Sequence, residues 1–363
     1  PRSAGVATPN RRQDSVSKDL AIPLDLLAGS WQVGGHLSRV DTAFEFRDPD
    51  AFFSLNDTDV ERLRGRLVAS RDLGGRLWLG FGGEWQRSEV TNVSTFGVNL
   101  DGADHENLAT FLQARYRQGP VVLEAALRRD EHQVFGSETS PSLGLAVRLG
   151  GGMRLRASYG QGFRAPSLGE LFFPFSGNPD LRAETSESYE LALERQTGPW
   201  RFSVAAFDSR QENLIEFDPA TFVNVNRGGT RNRGAEGEIS LSKARLALTA
   251  NFTYLNAEDE STGKALARRP RESGSFHLVY RPAEASLSLI ALYVGRRPDL
   301  DPVTFEDTTN GSYTRLDLAA RWQRWQQFQP YGRVENLVDE DYDEALGFPA
   351  PGRTFVGGVS WTF

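Results

Sequence analysis

The chain has 363 residues, a net charge of -7 at pH 7 and no cysteine. The negative charge argues against a general nucleic-acid-binding protein, because neutralising phosphates requires a basic excess. Without cysteine there is no disulfide framework and no thiolate chemistry, and no apolar run approaches the ~20 residues of a membrane-spanning helix.

Segments of alternating hydrophobicity recur along the chain at a spacing of about 20 residues, and helical periodicity is almost absent. The first recognisable strand covers about residues 15–24. In chain order, the clearest apolar faces are Leu63, Gly65, Leu67 and Ala69; Leu77, Leu79, Phe81, Gly83 and Trp85; Leu246, Leu248, Ala250, Phe252 and Tyr254; and Leu287, Leu289, Ala291, Tyr293 and Gly295. The pattern predicts an all-β protein.

The connections between these strands alternate between short and long. The short ones include "RDLGGR", "RQGP", "RLGGG" and "QTGP", and the long ones include "SEVTNVSTFGVNLDGADHEN" and "RQENLIEFDPATFVNVN". Tight turns at one end and long loops at the other are the layout of a transmembrane antiparallel β-barrel in an outer membrane. We count about 17 strands. A soluble propeller is the alternative, but it would show a repeat of about 40 to 50 residues with blade signatures.

Counting strand directions back from the C-terminus makes the first strand run towards the periplasm. An outer-membrane barrel begins on the periplasmic side with an even number of strands. We therefore expect residues 1–363 to be a barrel domain that is incomplete at its N-terminus. The opening "PRSAGVATPNRR" also lacks the apolar segment of a signal peptide.

Four stretches resemble TonB-dependent outer-membrane receptors, in the broad group of vitamin B12 and iron-siderophore receptors. They are "MRLRASYGQGFRAPSLGELFFPFSGNPDLRAETSESYELALE" at 153–194, "NVNRGGTRNRGAEGEISLS" at 224–242, "RRPRESGSFHLVYRP" at 268–282 and "YGRVENLVDEDYDEALGFPAPGRTFVGGVSWTF" at 331–363. They follow the order of the family and span most of the second half of the chain. The first half matches only in its strand rhythm.

The resemblance implies a barrel of about 22 strands that is closed by an N-terminal plug, and no plug domain is visible in this chain. It implies uptake of cobalamin, an iron-siderophore or haem, driven through a TonB contact on the plug. It also implies a monomer in the outer membrane of a Gram-negative bacterium, in contact with lipid, lipopolysaccharide and the barrel-assembly machinery. No cofactor is expected.

The apolar loop "FRAPSLGELFFPF", residues 163–175, supplies the candidate ligand-binding residues. Phe172, Phe173 and Phe175 are predicted to contact a hydrophobic ligand at the extracellular mouth, and packing on neighbouring loops is the alternative. Arg164 belongs to the same set, with a structural role as its alternative. "RRPR" at 268–271 and "GRRPD" at 295–299 are further candidates for an anionic siderophore or a lipopolysaccharide phosphate.

Alternation places a second set of charged side chains on the lumenal face of the strands. This set consists of Arg62, Arg64, Arg66, Glu236 and Glu238. These groups can pair with one another or with a plug as a structural ladder, or they can line a substrate path.

The last strand ends on aromatic residues. Trp361 and Phe363 share the predicted lipid face with Phe355 and Val359. The resemblance implies that this aromatic end is the signal read by the barrel-assembly machinery.

An enzyme is not predicted. His36, His105, His132 and His277 are scattered without the spacing of metal ligands, and no metal site is expected because the acidic loops also lack the EF-hand spacing. Asp130, His132 and Ser137 lie close in sequence, but chance explains their proximity in a polar loop. The alternatives to a receptor are a passive porin-like channel and a structural or adhesive barrel.

Overall fold

The computed structural model describes residues 10–218, 220–304, 306–325 and 327–361. These residues form one short helix, α1 (Leu168–Phe172), and many strands. The strands are β1 (Arg12–Ala28), β2 (Trp31–Arg47), β3 (Leu55–Leu73), β4 (Leu77–Ser94), β5 (Gly97–Gln118), β6 (Val121–His132), β7 (Gly136–Gly150), β8 (Met153–Arg164), β9 (Glu184–Thr197), β10 (Trp200–Asp218), β11 (Val223–Lys243), β12 (Leu246–Asp259), β13 (Glu272–Tyr280), β14 (Ala285–Val294), β15 (Arg297–Leu300), β16 (Asp307–Asn310), β17 (Tyr313–Trp322), β18 (Phe328–Glu335), β19 (Asp343–Ala345), β20 (Phe348–Pro349) and β21 (Thr354–Trp361).

Seventeen strands form a single antiparallel sheet in which neighbours in sequence are neighbours in space. β1 to β14 pair in chain order, and the sheet continues through β17, β18 and β21. Within the described residues, β1 pairs only with β2 and β21 only with β18. The predicted all-β class and the count of about 17 strands are confirmed.

Tight turns fix the register of the hairpins at one end of the sheet. Gly74 and Gly75, between β3 and β4, have φ angles of 68° and 70°. Glycine adopts this left-handed conformation without the steric cost of a Cβ atom. Around this turn, Arg66 lies opposite Glu84.

At the other end, several segments predicted to be long loops are paired strands. β4 continues to Ser94 and β5 begins at Gly97, so most of the predicted loop 88–107 is a hairpin. β6 and β7, and likewise β10 and β11, also extend into predicted loops. Beyond the lipid both faces of a strand contact water, so alternation disappears while the backbone pairing continues.

The large sheet has one apolar and one polar face. Leu67, Phe81 and Leu112 project from the apolar face and are half exposed. Such a face suits the hydrocarbon of a bilayer, and its aromatic side chains suit the interfaces. The polar face, which carries Arg64 and Glu84, is therefore the one that a closed barrel turns inwards.

No α-helix among the described residues is long and apolar enough to cross a membrane.

Helix α1 lies in the connection between β8 and β9. Ser167 caps its N-terminus in a capping box with Glu170, a pairing that satisfies two backbone N–H groups at the helix end. Leu168 and Leu171 are buried, and the helix contacts β5. The loop that carries the predicted phenylalanines is therefore folded and docked.

Candidate ligand-binding site

Arg164 connects helix α1 to the large sheet. Its Nε and Nη2 atoms donate to the Glu184 carboxylate at 2.7 and 2.6 Å. Its Nη1 and Nη2 atoms donate to Glu170 of α1 at 3.0 and 3.1 Å. Burial alone would raise the pKa of Glu170, but the bonds from Arg164 and Ser167 outweigh it and lower that pKa. Arg164 therefore acts as a clamp that joins helix α1 to strand β9 through Glu170 and Glu184.

Three asparagines hold the rest of this loop on β11. Asn178 Nδ2 donates to the Asn224 carbonyl oxygen at 2.8 Å, and the Asn224 backbone N–H donates to the Ser176 carbonyl oxygen at 2.8 Å. Asn226 Oδ1 accepts from the Arg182 backbone N–H at 2.8 Å. Because such bonds satisfy backbone groups in an irregular segment, the loop has a defined conformation.

The three candidate phenylalanines differ in their surroundings. Phe173 is half-buried and Phe172 is exposed, whereas the Phe175 side chain is 92% exposed. Phe175 also has a φ angle of 69°, a left-handed conformation that is unusual for a bulky residue. Residues on strained backbone are found preferentially at functional sites, including those that hold ligands. Ligand contact by Phe175 stays a prediction.

A charged cluster occupies the polar face of β3 to β6. We call Arg64, Arg66, Glu84, Arg128 and Asp130 the Glu84 cluster. The carboxylate of Glu84, only 7% exposed, is bonded by Arg64 and lies 3.2 Å from the Arg128 Nη2 atom and 3.8 Å from the Arg66 Nη1 atom. Arg128 also holds Asp130 through its Nε atom at 2.8 Å. Guanidinium groups outnumber carboxylates here.

The charged residues predicted to face the lumen lie on two distant strands, β3 and β11. Arg64 and Arg66 join the Glu84 cluster, whereas Arg62, on the same face, forms no ion pair within the described part of the chain. Glu236 and Glu238 lie on the polar face of β11, opposite Thr253 and Asn251 of β12. They too form no ion pair within the described residues. Seven strands, β4 to β10, therefore lie between the arginines of β3 and these acids.

The sequence analysis did not identify several charged residues of the polar face as candidate site residues. Glu84, Arg128 and Asp130 are central to the cluster, and a second cluster places Glu194 within 2.8 Å of Arg154 and 3.1 Å of Arg156. The hairpin register could have found Glu84, because it lies opposite the predicted Arg66 across a tight turn. Arg128 and Asp130 lie opposite Phe111 and Ala109 instead, so the register alone does not identify them.

Two histidines that are distant in sequence meet above the Glu84 cluster. The rings of His105 and His132 have centroids 4.7 Å apart, and Phe135 stacks on His132 at 4.1 Å. Asp130 is bonded by Arg128 and Asn107, while Ser137 lies on the opposite face of the sheet from His132. The three residues considered for a hydrolase are therefore not assembled into a triad.

The C-terminal aromatic residues are described only in part. Trp361 projects from the apolar face of β21. Its ring lies edge-on to the ring of Phe328, with the two ring centroids 5.8 Å apart. Phe363 lies outside the described residues. No group of three or more histidine, aspartate or glutamate side chains within the described residues is arranged to hold a metal ion.

Comparison with solved structures shows the same fold. The siderophore receptor PirA from Acinetobacter baumannii superposes with a TM-score of 0.83 at 15% identity, over 97% of this chain and 63% of PirA. A mutant of the ferric enterobactin receptor PfeA from Pseudomonas aeruginosa superposes with a TM-score of 0.85 at 18% identity, over 97% of this chain and 62% of PfeA.

Sequence comparison agrees with the structural likeness. The vitamin B12 transporter BtuB of Photobacterium profundum is 26% identical over 298 residues, which are 79% of this chain and 48% of BtuB. The chain thus spans about half the length of this curated relative. Residues 4–337 match the family model described as TonB dependent receptor-like, beta-barrel. The chain therefore belongs to the TonB-dependent receptor β-barrel family, whose members lie in the outer membrane of Gram-negative bacteria.

Proposed function

We propose that this chain forms the barrel of a receptor that takes up an anionic iron chelate across the outer membrane. The observation that carries the proposal is the excess of guanidinium groups on the polar face of β3 to β6. In the middle of this face, Arg62, Arg64, Arg66 and Arg128 outnumber the two carboxylates Glu84 and Asp130. Nearer the turns the charges balance more closely, with Arg115 paired to Glu124 and Asp72 on the same face. A positive lumenal wall concentrates anions and binds their oxygens through charge-assisted hydrogen bonds.

The same wall favours an iron chelate over cobalamin. Several iron chelates carry carboxylate or catecholate oxygens with a net negative charge, whereas cyanocobalamin carries no such charge. Relatives with both kinds of named ligand support the general class, since BtuB is named as a vitamin B12 transporter and PirA as a siderophore receptor. The charge of the wall decides between them in our proposal.

The remaining parts of the proposal concern the whole receptor. The chain covers 62% of PfeA, which supports a single barrel domain, residues 1–363, within a longer protein whose other part supplies a plug and the TonB contact. The aromatic end at Trp361 and Phe363 is proposed to engage the barrel-assembly machinery. We propose a monomer that contacts lipopolysaccharide and has no catalytic activity.

Uptake by cells with and without the gene tests this function. The deletion strain should grow poorly on limiting iron supplied as an anionic chelate, and it should lose uptake of the radioactive iron. Growth on limiting cobalamin should not change. A defect confined to cobalamin would contradict the proposed ligand class.

Conductance separates a receptor from a passive channel. The receptor purified from outer membranes should be nearly closed in a planar bilayer, because a plug blocks the lumen of such barrels. A large steady conductance of the purified receptor would favour the porin-like channel instead.

A further inference from the structure

Three buried polar atoms that have no hydrogen-bond partner among the described residues lie side by side on the polar face of β5 and β6. They are His105 Nδ1, Asn107 Oδ1 and His132 Nε2. Asn107 is directly opposite His132 across the two strands, and His105 lies two residues from Asn107 on the same face. Unpaired buried polar atoms are rare and unfavourable in folded proteins. Three of them in one place indicate a binding subsite, which we call the His132 subsite.

Neighbouring hydrogen bonds fix what two of these atoms can do. His132 Nδ1 accepts from the backbone N–H of Val134 at 3.1 Å, so the proton of the neutral ring is on Nε2. Asn107 Nδ2 donates to Asp130 at 2.8 Å, which leaves Oδ1 as a free acceptor. The subsite therefore presents one donor and one acceptor. A metal ion does not fit at His132 Nε2, because a metal ligand must be unprotonated.

The side chains of the subsite are held in place. His132 is only 7% exposed, and it lies between the rings of His105 and Phe135 at centroid distances of 4.7 and 4.1 Å. Asp130, which orients Asn107, is itself fixed by two bonds from Arg128. A binding group held in this way loses little conformational freedom when a ligand arrives.

A free cation lies in the same row of the sheet. Arg62 is opposite Ser88, and Ser88 is opposite His105. Arg62 is exposed and forms no ion pair within the residues that the structure describes. Its guanidinium group is therefore available to an anion that also reaches the histidines.

We propose that the His132 subsite binds an anionic oxygen group of the transported ligand, with a hydroxyl or amide donor beside it. His132 Nε2–H and Arg62 donate to the anionic oxygen, and Asn107 Oδ1 accepts from the neighbouring donor. An α-hydroxycarboxylate has both features. This inference rests on the proposed uptake function and assigns part of its specificity to these residues.

Calorimetric titration of the receptor, purified from outer membranes in detergent, tests the proposal. The probes are ferric citrate, a ferric tris-catecholate, a neutral ferric trihydroxamate and cyanocobalamin. His132→Phe keeps the aromatic stack and removes the donor, while Arg62→Gln removes the cation without breaking an ion pair. His277→Phe is the control, because His277 lies on the polar face of the same sheet but on β13, away from the subsite. Heat-dependent mobility on gels shows whether each variant is folded.

We expect ferric citrate to bind the unmodified receptor and the His277→Phe variant equally. His132→Phe and Arg62→Gln should each weaken its binding about tenfold to a hundredfold, the usual effect of losing a hydrogen bond to a charged group. Unchanged affinity in both folded variants would overturn the subsite and leave the receptor function standing. Binding of the neutral chelate or cyanocobalamin alone would also overturn it, and binding of no probe would overturn both proposals.

Discussion

Arg164 and Glu184 face each other across β8 and β9, and their side chains form a two-bond pair with N–O distances of 2.7 and 2.6 Å. The same guanidinium group reaches Glu170 of helix α1. Glu184 also accepts from the Ile215 backbone N–H at 2.8 Å, so it joins β9 to β10. The pair is therefore the point at which the mouth loop is joined to the sheet.

Arg164→Gln should release this loop without unfolding the barrel. Glutamine cannot bond two carboxylates at once, so Glu170 and Glu184 would face each other without a cation. We expect hydrogen exchange in residues 165–183 to accelerate by about tenfold to a hundredfold, which corresponds to the loss of a charged hydrogen-bond pair. Arg129→Gln, which removes an exposed arginine that pairs with Glu131, is the control. Unchanged exchange in the Arg164 variant would contradict the clamp.

Glu84→Gln should destabilise the barrel more than an exposed substitution of the same kind. Glu84 is buried between Arg64 and Arg128. Removing its charge leaves Arg64 without an anion and Arg128 with Asp130 alone. We expect a loss of about 1 to 3 kcal/mol in the free energy of unfolding. Glu131→Gln, at an exposed pair, should change it by less than about 0.5 kcal/mol. Urea denaturation in detergent, followed by tryptophan fluorescence, measures both; equal effects would show that the cluster adds no stability.

The sheet itself could be predicted from the sequence, because lipid on one face and polar groups on the other impose a strict alternation. β12 is an example, since Phe252 and Tyr254 lie on the apolar face as their spacing predicts. The division of charges along the polar face needed the register as well. The tight turn at Gly74 and Gly75 fixes which residues of β3 and β4 lie opposite each other. The pairing of Arg66 with Glu84 could therefore have been predicted from the position of this turn.

The packing of the loops could not be predicted in the same way. Helix α1 is too short to produce a recognisable periodicity, and its stability depends on a capping box and on contact with β5. β15 pairs with β16, and β19 with β20, within loops that read only as polar segments. The contact between His105 and His132 crosses 27 residues and depends on the hairpin between them. Such contacts are fixed by tertiary structure.

The stability of the loops around Asp299 should depend on pH. Its side chain is 1% exposed; Oδ1 accepts from Arg268 Nε at 3.0 Å, and Oδ2 accepts from the Leu346 backbone N–H at 2.8 Å. Burial alone would raise the pKa of Asp299, but the hydrogen bonds from Leu346, Leu300, Arg268 and Asn310 outweigh it and lower the pKa to about 2. The carboxylate therefore holds three loops together while it is charged.

The sign of this effect follows from the two pKa values. Because the folded pKa of about 2 is below the ordinary value of 3.8, the stabilisation is complete above about pH 5 and is lost progressively as the pH falls through 3.8 to below about 2. Pepsin should cut residues 295–312 increasingly across this interval. Asp299→Asn should be cut throughout it, because the amide cannot replace the charge beside Arg268. Cleavage of the unmodified loop that did not vary with pH would contradict this role.

Phe175→Gly should stabilise the mouth loop and weaken ligand binding at the same time. The φ angle of 69° is costly for phenylalanine and free for glycine, so relief of strain should add about 1 kcal/mol to the local stability of the loop. The ring is 92% exposed, so its removal loses little packing. Slower hydrogen exchange in residues 165–183 would report the relief of strain.

Ligand affinity then decides whether the Phe175 ring serves binding. Phe222→Gly is the matched variant, because Phe222 is also exposed and has a φ angle of 58°, but it lies in the turn before β11. If Phe175 contacts the ligand, its glycine variant should bind about tenfold less tightly, as expected when an apolar contact is lost, whereas Phe222→Gly should bind as before. A stabilised loop with unchanged affinity would assign the strain at Phe175 to loop structure alone and would remove this residue from the candidate binding set.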